Sequence, residues 1–499
     1  MHPPADLRAK VRQTIVPGAL AGMIGGLAFG AAMIQLGVLP SVGSLVRTDD
    51  PLVGFAVHLS IAAIAGAGLG IVLRGPWPAG DTVFWGAAYG AFFWFLGPIT
   101  FQPLVLERMP AWDVAAAQAA YPSLLGHVIW GATTGLVLVA LKARMRDPGP
   151  VSQAEAGPPQ PAEAAAPRLR WLVLRGSIAG LLAFGLIGLL PAGTDMMLSP
   201  WGSSEGAGAG PLVVAILASI VYAALHPRST SGAGAAVVRG AAFGFLLWVI
   251  GGLTILPTLR GAGLAWTIDD ARATFPALPG TILFGAAMAV IYHWLGRLVR
   301  LFFADDPGDR SPDGGAWGLR ATVRGAVAGL VGGLVFTLVM LKIGFLPSVA
   351  RLVGSDSLVV GLMVHLVIAE IIGISFGLLF RRQAFDPASA IGWGVSYGFL
   401  WWILGPLTLA PVILGVDPAW TAADAAAAFP SLIGHLAYGA ALGFTFYILE
   451  ARYSPWWITR SEAEGERMMQ RRGEATSAGP AVWALLVLIA VLLPIVLSP

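Results

Sequence analysis

The sequence predicts an all-α integral membrane protein: three parallel four-helix transmembrane repeats plus one extra C-terminal helix, about thirteen crossings in all, with a cytoplasmic N-terminus. Three observations carry this. The chain has 499 residues, of which 57% are hydrophobic and only 11% charged, a makeup far from that of a soluble domain. Apolar runs of spanning length recur along it, edged by proline, glycine and charge. A group of chosen residues also returns at constant spacing, the mark of internal repeats.

The first helix is expected at Pro17–Val38, behind Arg8, Lys10 and Arg12; no small-residue cleavage site follows, so it reads as uncleaved. Leu52–Leu73, Val83–Phe101 and Pro122–Leu141 complete repeat 1, residues 1–146. A Pro- and Ala-rich flexible linker follows over 147–168. Repeat 2, residues 169–302, holds Trp171–Leu190, Gly210–Leu225, Val237–Leu259 and Leu278–Leu298. After a linker at 303–318, repeat 3 at 319–452 holds Val323–Phe345, Leu358–Phe380, Ile391–Leu414 and Pro430–Glu450. A charged linker, 453–479, leads to the last helix in 480–499.

The repeat is visible residue by residue. Trp85, Gly86, Tyr89, Gly90, Trp94, Gly97, Pro98 and Thr100 return as Trp393, Gly394, Tyr397, Gly398, Trp402, Gly405, Pro406 and Thr408. The middle copy is looser, with Gly240, Phe243, Gly244, Trp248, Gly251, Gly252 and Thr254. An even number of helices per copy keeps every copy in one orientation, so the repeats are parallel and not inverted. Lysine and arginine gather on the side of the N-terminus and the linkers, which the positive-inside bias assigns to the cytoplasm of a cell inner membrane.

Composition also excludes. Basic residues form no patch, so no nucleic-acid partner is expected. With no cysteine in the chain, disulfides, thiolate metal sites and covalent haem attachment are excluded within it. No phosphate loop, catalytic triad or HExxH motif occurs, so no catalytic activity of its own is expected.

Four of the seven histidines form matched pairs. His58 and His365 lie about seven residues into the second helices of repeats 1 and 3, and His127 and His435 about six residues into the fourth. Both helices run inward, so the two histidines of a pair share a depth of roughly 10 Å below the outer surface. In an up-down-up-down bundle, helices two and four would stand diagonally, leaving a gap suited to a flat cofactor, with glycine-rich helices one and three on its faces. The leading expectation is therefore two b-type haems, their iron held by His58 with His127 and by His365 with His435, in an electron-transfer or respiratory-complex subunit. Repeat 2 is aligned with Ala218 and Thr281 at these places, so the histidines are separable from folding.

The plainer reading is that each histidine hydrogen-bonds a neighbouring helix and packs. A copper or zinc site is a further possibility, as is a transporter or channel for a neutral or apolar solute. Glu370, five residues after His365, is an intramembrane acid that reads as a proton site or a hydrogen-bonded buried carboxyl. Lys342 is expected to snorkel, Trp112, Trp266 and Trp420 to form an aromatic belt, and His226 and His293 to sit at cytoplasmic helix ends in ordinary interfacial roles. Expected partners are membrane lipid and, for electron transfer, other membrane subunits or an external redox protein.

The units YGxxWWxLGPxTxxP, at Tyr397 to Pro411, and PSLxGHLxYG, at Pro430 to Gly439, resemble those of bacterial multi-pass membrane proteins without an established activity. The resemblance implies a membrane location and a helical repeat, and carries no activity with it.

Overall fold

The computed structural model describes residues 11–73, 78–145, 169–199, 210–227, 232–303, 314–381, 383–384, 386–451 and 479–497. The linkers expected between the helical sets fall almost wholly outside these. The described residues are helical, without strands. Thirteen long helices stand out among them. The first set is α1 (Val16–Leu36), α2 (Pro51–Val72), α3 (Ala79–Trp94) and α4 (Tyr121–Met145). The second is α5 (Leu169–Ile187), α6 (Gly210–Leu225), α7 (Ala233–Leu246) and α8 (Ala277–Phe303). The third is α9 (Gly314–Ile343), α10 (Leu358–Phe380), α11 (Pro387–Leu404) and α12 (Phe429–Ala451), and α13 (Gly479–Val496) follows.

Among the described residues, eleven helices are long and apolar enough to cross a membrane; α6 and the Val482–Val496 part of α13 are shorter apolar helices. With their backbone groups satisfied internally, such helices are the form a chain takes in hydrocarbon. The chain is a multi-pass membrane protein. Its outward apolar side chains, such as Leu52, Ile64 and Leu338, each more than two-thirds exposed, are where lipid tails stand.

Local chemistry sets the ends. Asp50 caps α2, its carboxylate accepting from the Leu52 N–H at 2.8 Å, with Pro51 at the first helical position. Gly37 and Gly344 take positive φ, 66° and 67°, to close α1 and α9. Thr267 and Thr421 form capping boxes with Asp270 and Asp424 on two short helices, Ile268–Thr274 and Ala422–Ala427, at the end away from the linkers.

Each set is a row rather than the four-helix bundle expected from the sequence. Helix one packs on both helix two and helix four, and helix three packs on helix four. Glycine makes the close approaches: a Cβ on Gly22 would strike the Ala62 carbonyl, and one on Gly86 the Gly131 carbonyl. Helices two and four are therefore not a diagonal pair facing an open gap; helix one fills the space between them.

The third helices carry a second shared feature. After α3, α7 and α11 the chain passes into π-helical segments, Phe95–Phe101, Leu247–Ile255 and Gly405–Leu409. In all three a threonine hydroxyl donates to the carbonyl five residues back at 2.8 Å: Thr100 to Phe95, Thr254 to Val249, Thr408 to Ile403. The same hydroxyls accept from Trp112, Trp266 and Trp420 Nε1 at 3.1, 3.0 and 2.9 Å. Trp266 and Trp420 are buried, so these indoles clasp the returning loop and do not form the expected belt.

The three rows meet at α13. It packs against α3, α7 and α11, and against the short helices Val114–Ala119, Ile268–Thr274 and Ala422–Ala427. Leu488 and Val491 are fully enclosed there. The last carbonyls of α13, which no intrahelical donor reaches, are met from the side: Gln118 donates to Pro494 and Leu497, both at 3.0 Å, and Arg272 to Ile495 at 3.2 Å.

Candidate functional site: two histidine pairs

The first and third sets hold the same constellation. His58 Nε2 donates to the Gly26 carbonyl at 2.9 Å, and His365 Nε2 to that of Gly333 at 3.0 Å. A carbonyl only accepts, so the proton of these rings sits on Nε2. The fourth-helix histidines have the other tautomer: His127 Nδ1 donates to the Ser123 carbonyl at 2.7 Å, and His435 Nδ1 to that of Ser431 at 2.8 Å.

One phenylalanine joins each pair. The Phe29 ring meets His58 and His127 edge-on, with centroids 5.3 and 5.1 Å away. Phe336 meets His365 and His435 at 5.2 and 4.7 Å. A shared ring puts both histidines of a pair at one level, as their sequence positions predict. Gly126 and Gly434 leave the room for it, since a Cβ at either would strike the phenylalanine.

This arrangement does not fit a haem. A bis-histidine iron needs a lone pair from each imidazole and a slot for the macrocycle between them. The usual ligand pattern, Nδ1 donating to a carbonyl and Nε2 turned to the metal, is met by His127 and His435 and reversed in His58 and His365. The phenylalanine ring takes the slot. Nor, among the described residues, do three or more histidine, aspartate or glutamate side chains converge as a copper or zinc site would need. Glu370 is half-buried on α10 and makes no hydrogen bond or ion pair with a described residue, so the structure does not join it to His365.

The second set replaces the constellation with a void. Gly176 and Gly180 of α5 pack on Ser219, Ala223 and Ala215 as Gly18 and Gly22 of α1 pack on Gly66, Gly70 and Ala62. That register puts Pro211, one turn before Ala215, in the place of His58; the expected match to Ala218 is off by about two turns. Pro211, Ala215 and Thr281 line a cavity of about 20 Å³, closed by Met197, Leu247 and Phe284. It is the size of one water molecule.

Sequence reasoning missed a second polar site. Asp81 and Arg239 form a buried ion pair between the first and second sets, and His226 is enclosed beside it rather than lying at an interface. His293 is buried too. The third helix was expected to start at Val83, which left Asp81 outside it; the lone arginine inside the apolar run Val237–Leu259 was the signal available.

Fold and site together define a class, the multi-pass helical membrane protein with paired intramembrane histidines. Nothing narrower comes from comparison with known proteins, since no family model, no curated protein and no solved structure matches the chain.

Proposed function

We propose that the chain is a non-catalytic structural subunit of the inner membrane, built of three parallel four-helix repeats around a thirteenth, axial helix, with its N-terminus and linkers in the cytoplasm. The observation that carries this reading is the use to which each histidine is put. All four ring protons are spent on backbone carbonyls at 2.7 to 3.0 Å, and both rings of each pair close on a phenylalanine. A carbonyl that takes an extra donor from a neighbouring helix holds the two at fixed register; His58 to Gly26 ties α2 to α1 in this way. Interhelical hydrogen bonds in membranes contribute about 0.6 to 2 kcal/mol each.

The competing reading is an electron-transfer subunit with two b-type haems on His58–His127 and His365–His435, favoured by the equal depth of each pair. Transport of a neutral or apolar solute is a further one. A reduced-minus-oxidised visible spectrum of the purified protein separates the first two. Colourless protein that stays silent after incubation with haem, and a His365→Ala variant that melts earlier in detergent, are expected for a lock. Six-coordinate b-type bands that His435→Ala halves would overturn it in favour of haem.

A further inference from the structure

Charge is scarce inside these helices, and most of it is met within the chain. Asp81 holds Arg239, and Arg175 of α5 donates to the Tyr292 carbonyl of α8 at 2.7 Å. Glu370 is different. Counted from Leu358, it is the thirteenth of the 23 residues of α10, which places it near the middle of a bilayer. It makes no hydrogen bond or ion pair with a described residue. A polar group at that depth is costly unless another group meets it, and acyl tails offer neither donor nor acceptor.

The side of α10 that carries Glu370 faces outward. α9 packs on Ala369 and Gly373 through its own glycines, α7 reaches Leu379 and Phe380 at Gly234, and Tyr397 of α11 meets the Ser375 hydroxyl at 2.7 Å. At 100° per residue none of these contacts falls on the stripe formed by Val360, Met363, Val367, Glu370 and Ile374. Met363 and Val367 are 62% and 55% exposed, and the other three are half-buried. The five residues recur at intervals of 3, 4, 3 and 4, the spacing along which one helix meets another in a left-handed supercoil. α2 provides an internal comparison. Its matching stripe is Val53, Ala56, Ser60, Ala63 and Ala67, mostly small, and its one polar group is satisfied at home: the Ser60 hydroxyl donates to the Ala56 carbonyl at 2.9 Å. Where α2 offers a narrow strip of small side chains, α10 offers bulky ones around an acid.

We propose that this stripe is the interface of a homodimer, in which α10 packs on α10 of a second copy and the two Glu370 carboxyl groups hydrogen-bond to each other. Copies of one chain insert in one orientation, so the two-fold axis that relates a pair of them runs along the membrane normal. The two α10 helices are then parallel, and each residue of the stripe meets its own counterpart at the same depth. This is what selects a second copy as the occupant. A carboxylic acid donates through its O–H and accepts through its other oxygen, so the group is its own complement. Met363 and Val367 close over the carboxyl pair on one side and Ile374 on the other, which keeps it dry. A single polar position in an otherwise apolar seam also fixes register and the number of partners. His365 turns to the Gly333 carbonyl of α9, away from the stripe, so the dimer does not depend on the role of the histidine pairs.

The purified whole chain, reconstituted in lipid vesicles over a range of dilutions, provides the test. Single-molecule bleaching of singly labelled copies should show two steps per spot, giving way to one as the lipid excess grows. Glu370→Gln keeps a donor and an acceptor and should dimerise as the parent does. Glu370→Leu keeps the shape of the stripe and loses the bond, so its dissociation constant should rise about tenfold. Since the chain has no cysteine, a single introduced thiol reports which face is shared. Val367→Cys should cross-link into a dimer on oxidation with copper phenanthroline, and Ser60→Cys, at the matching place on α2, should not. A parent that is monomeric at every dilution overturns the proposal, and so does a Glu370→Leu variant that dimerises as tightly as the parent. Cross-linking through Ser60→Cys in place of Val367→Cys overturns it as well, since the shared face is then another helix.

Discussion

A phenylalanine ring and a bare glycine set the terms on which each histidine pair exists. Phe336 can lie edge-on to His365 and His435 because Gly434 has no Cβ to strike it. Gly434→Ala should therefore destabilise the protein by about 1–3 kcal/mol through overpacking. Phe336→Leu in the same chain should recover part of that loss, since the two sites share one space. Thermal melting of the single and double variants in detergent checks both statements. The pairs and their common depth were legible, because a histidine inside an apolar run is conspicuous and the run fixes its level. The tautomers and the phenylalanine were not. Phe29 is one apolar residue among many in its helix, and which ring nitrogen faces a carbonyl depends on a neighbouring helix whose side the sequence does not mark.

At the scale of an element, the third helices show how one short motif bends and pins a helix. The threonine of each motif takes up a carbonyl that the π-helical segment offers, and it accepts from a tryptophan twelve residues on. Thr408→Val removes both bonds and strands the buried Trp420 N–H, a loss of about 1–3 kcal/mol. Trp420→Phe added to it should cost less than it does alone, because the partner is already gone. A double-mutant cycle by thermal or chaotrope unfolding measures the coupling. Trp112, Trp266 and Trp420 were legible as equivalent positions, yet the belt reading failed for the buried Trp266 and Trp420 for a physical reason, while Trp112 is exposed. An indole at the membrane edge and an indole hydrogen-bonded under a loop occupy the same place in sequence. Helix two of the middle set failed otherwise: small residues align equally well several ways, and only the glycine contacts of α5 fix the register at Pro211.

For the molecule as a whole, the helical, membrane-spanning character was legible, with eleven helices long and apolar enough to cross among the described residues, while their arrangement was not. Helices that are apolar all round show no preferred face, so periodicity cannot say which neighbour each one meets. The row of four and the central place of α13 are products of glycine contacts and end-capping that appear only in three dimensions. Gln118 and Arg272 occupy the same position in the first and second sets, where the third has Ala426, and both cap α13. Gln118→Ala with Arg272→Ala should lower stability by about 1–3 kcal/mol, read by thermal melting in detergent. Asp81→Asn acts at another place, the seam between sets. Losing the carboxylate breaks the buried ion pair with Arg239, and near neutral pH the loss should be about 3–5 kcal/mol, read by thermal melting in detergent.

The central place of α13 also bears on how the protein is made. Synthesis runs from the N-terminus, and membrane helices enter in order. All three rows are therefore in the bilayer before the helix that their inner faces enclose has left the ribosome. Until then those faces have only one another or lipid to cover them. A chain stopped between residues 451 and 479 would carry every histidine, both members of the ion pair and all three tryptophan clasps, and would still lack its centre. α13 thus completes the packing: the centre of the protein is filled only once this helix has been translated, and a cell that removes unassembled membrane helices would read its absence as an unfinished fold.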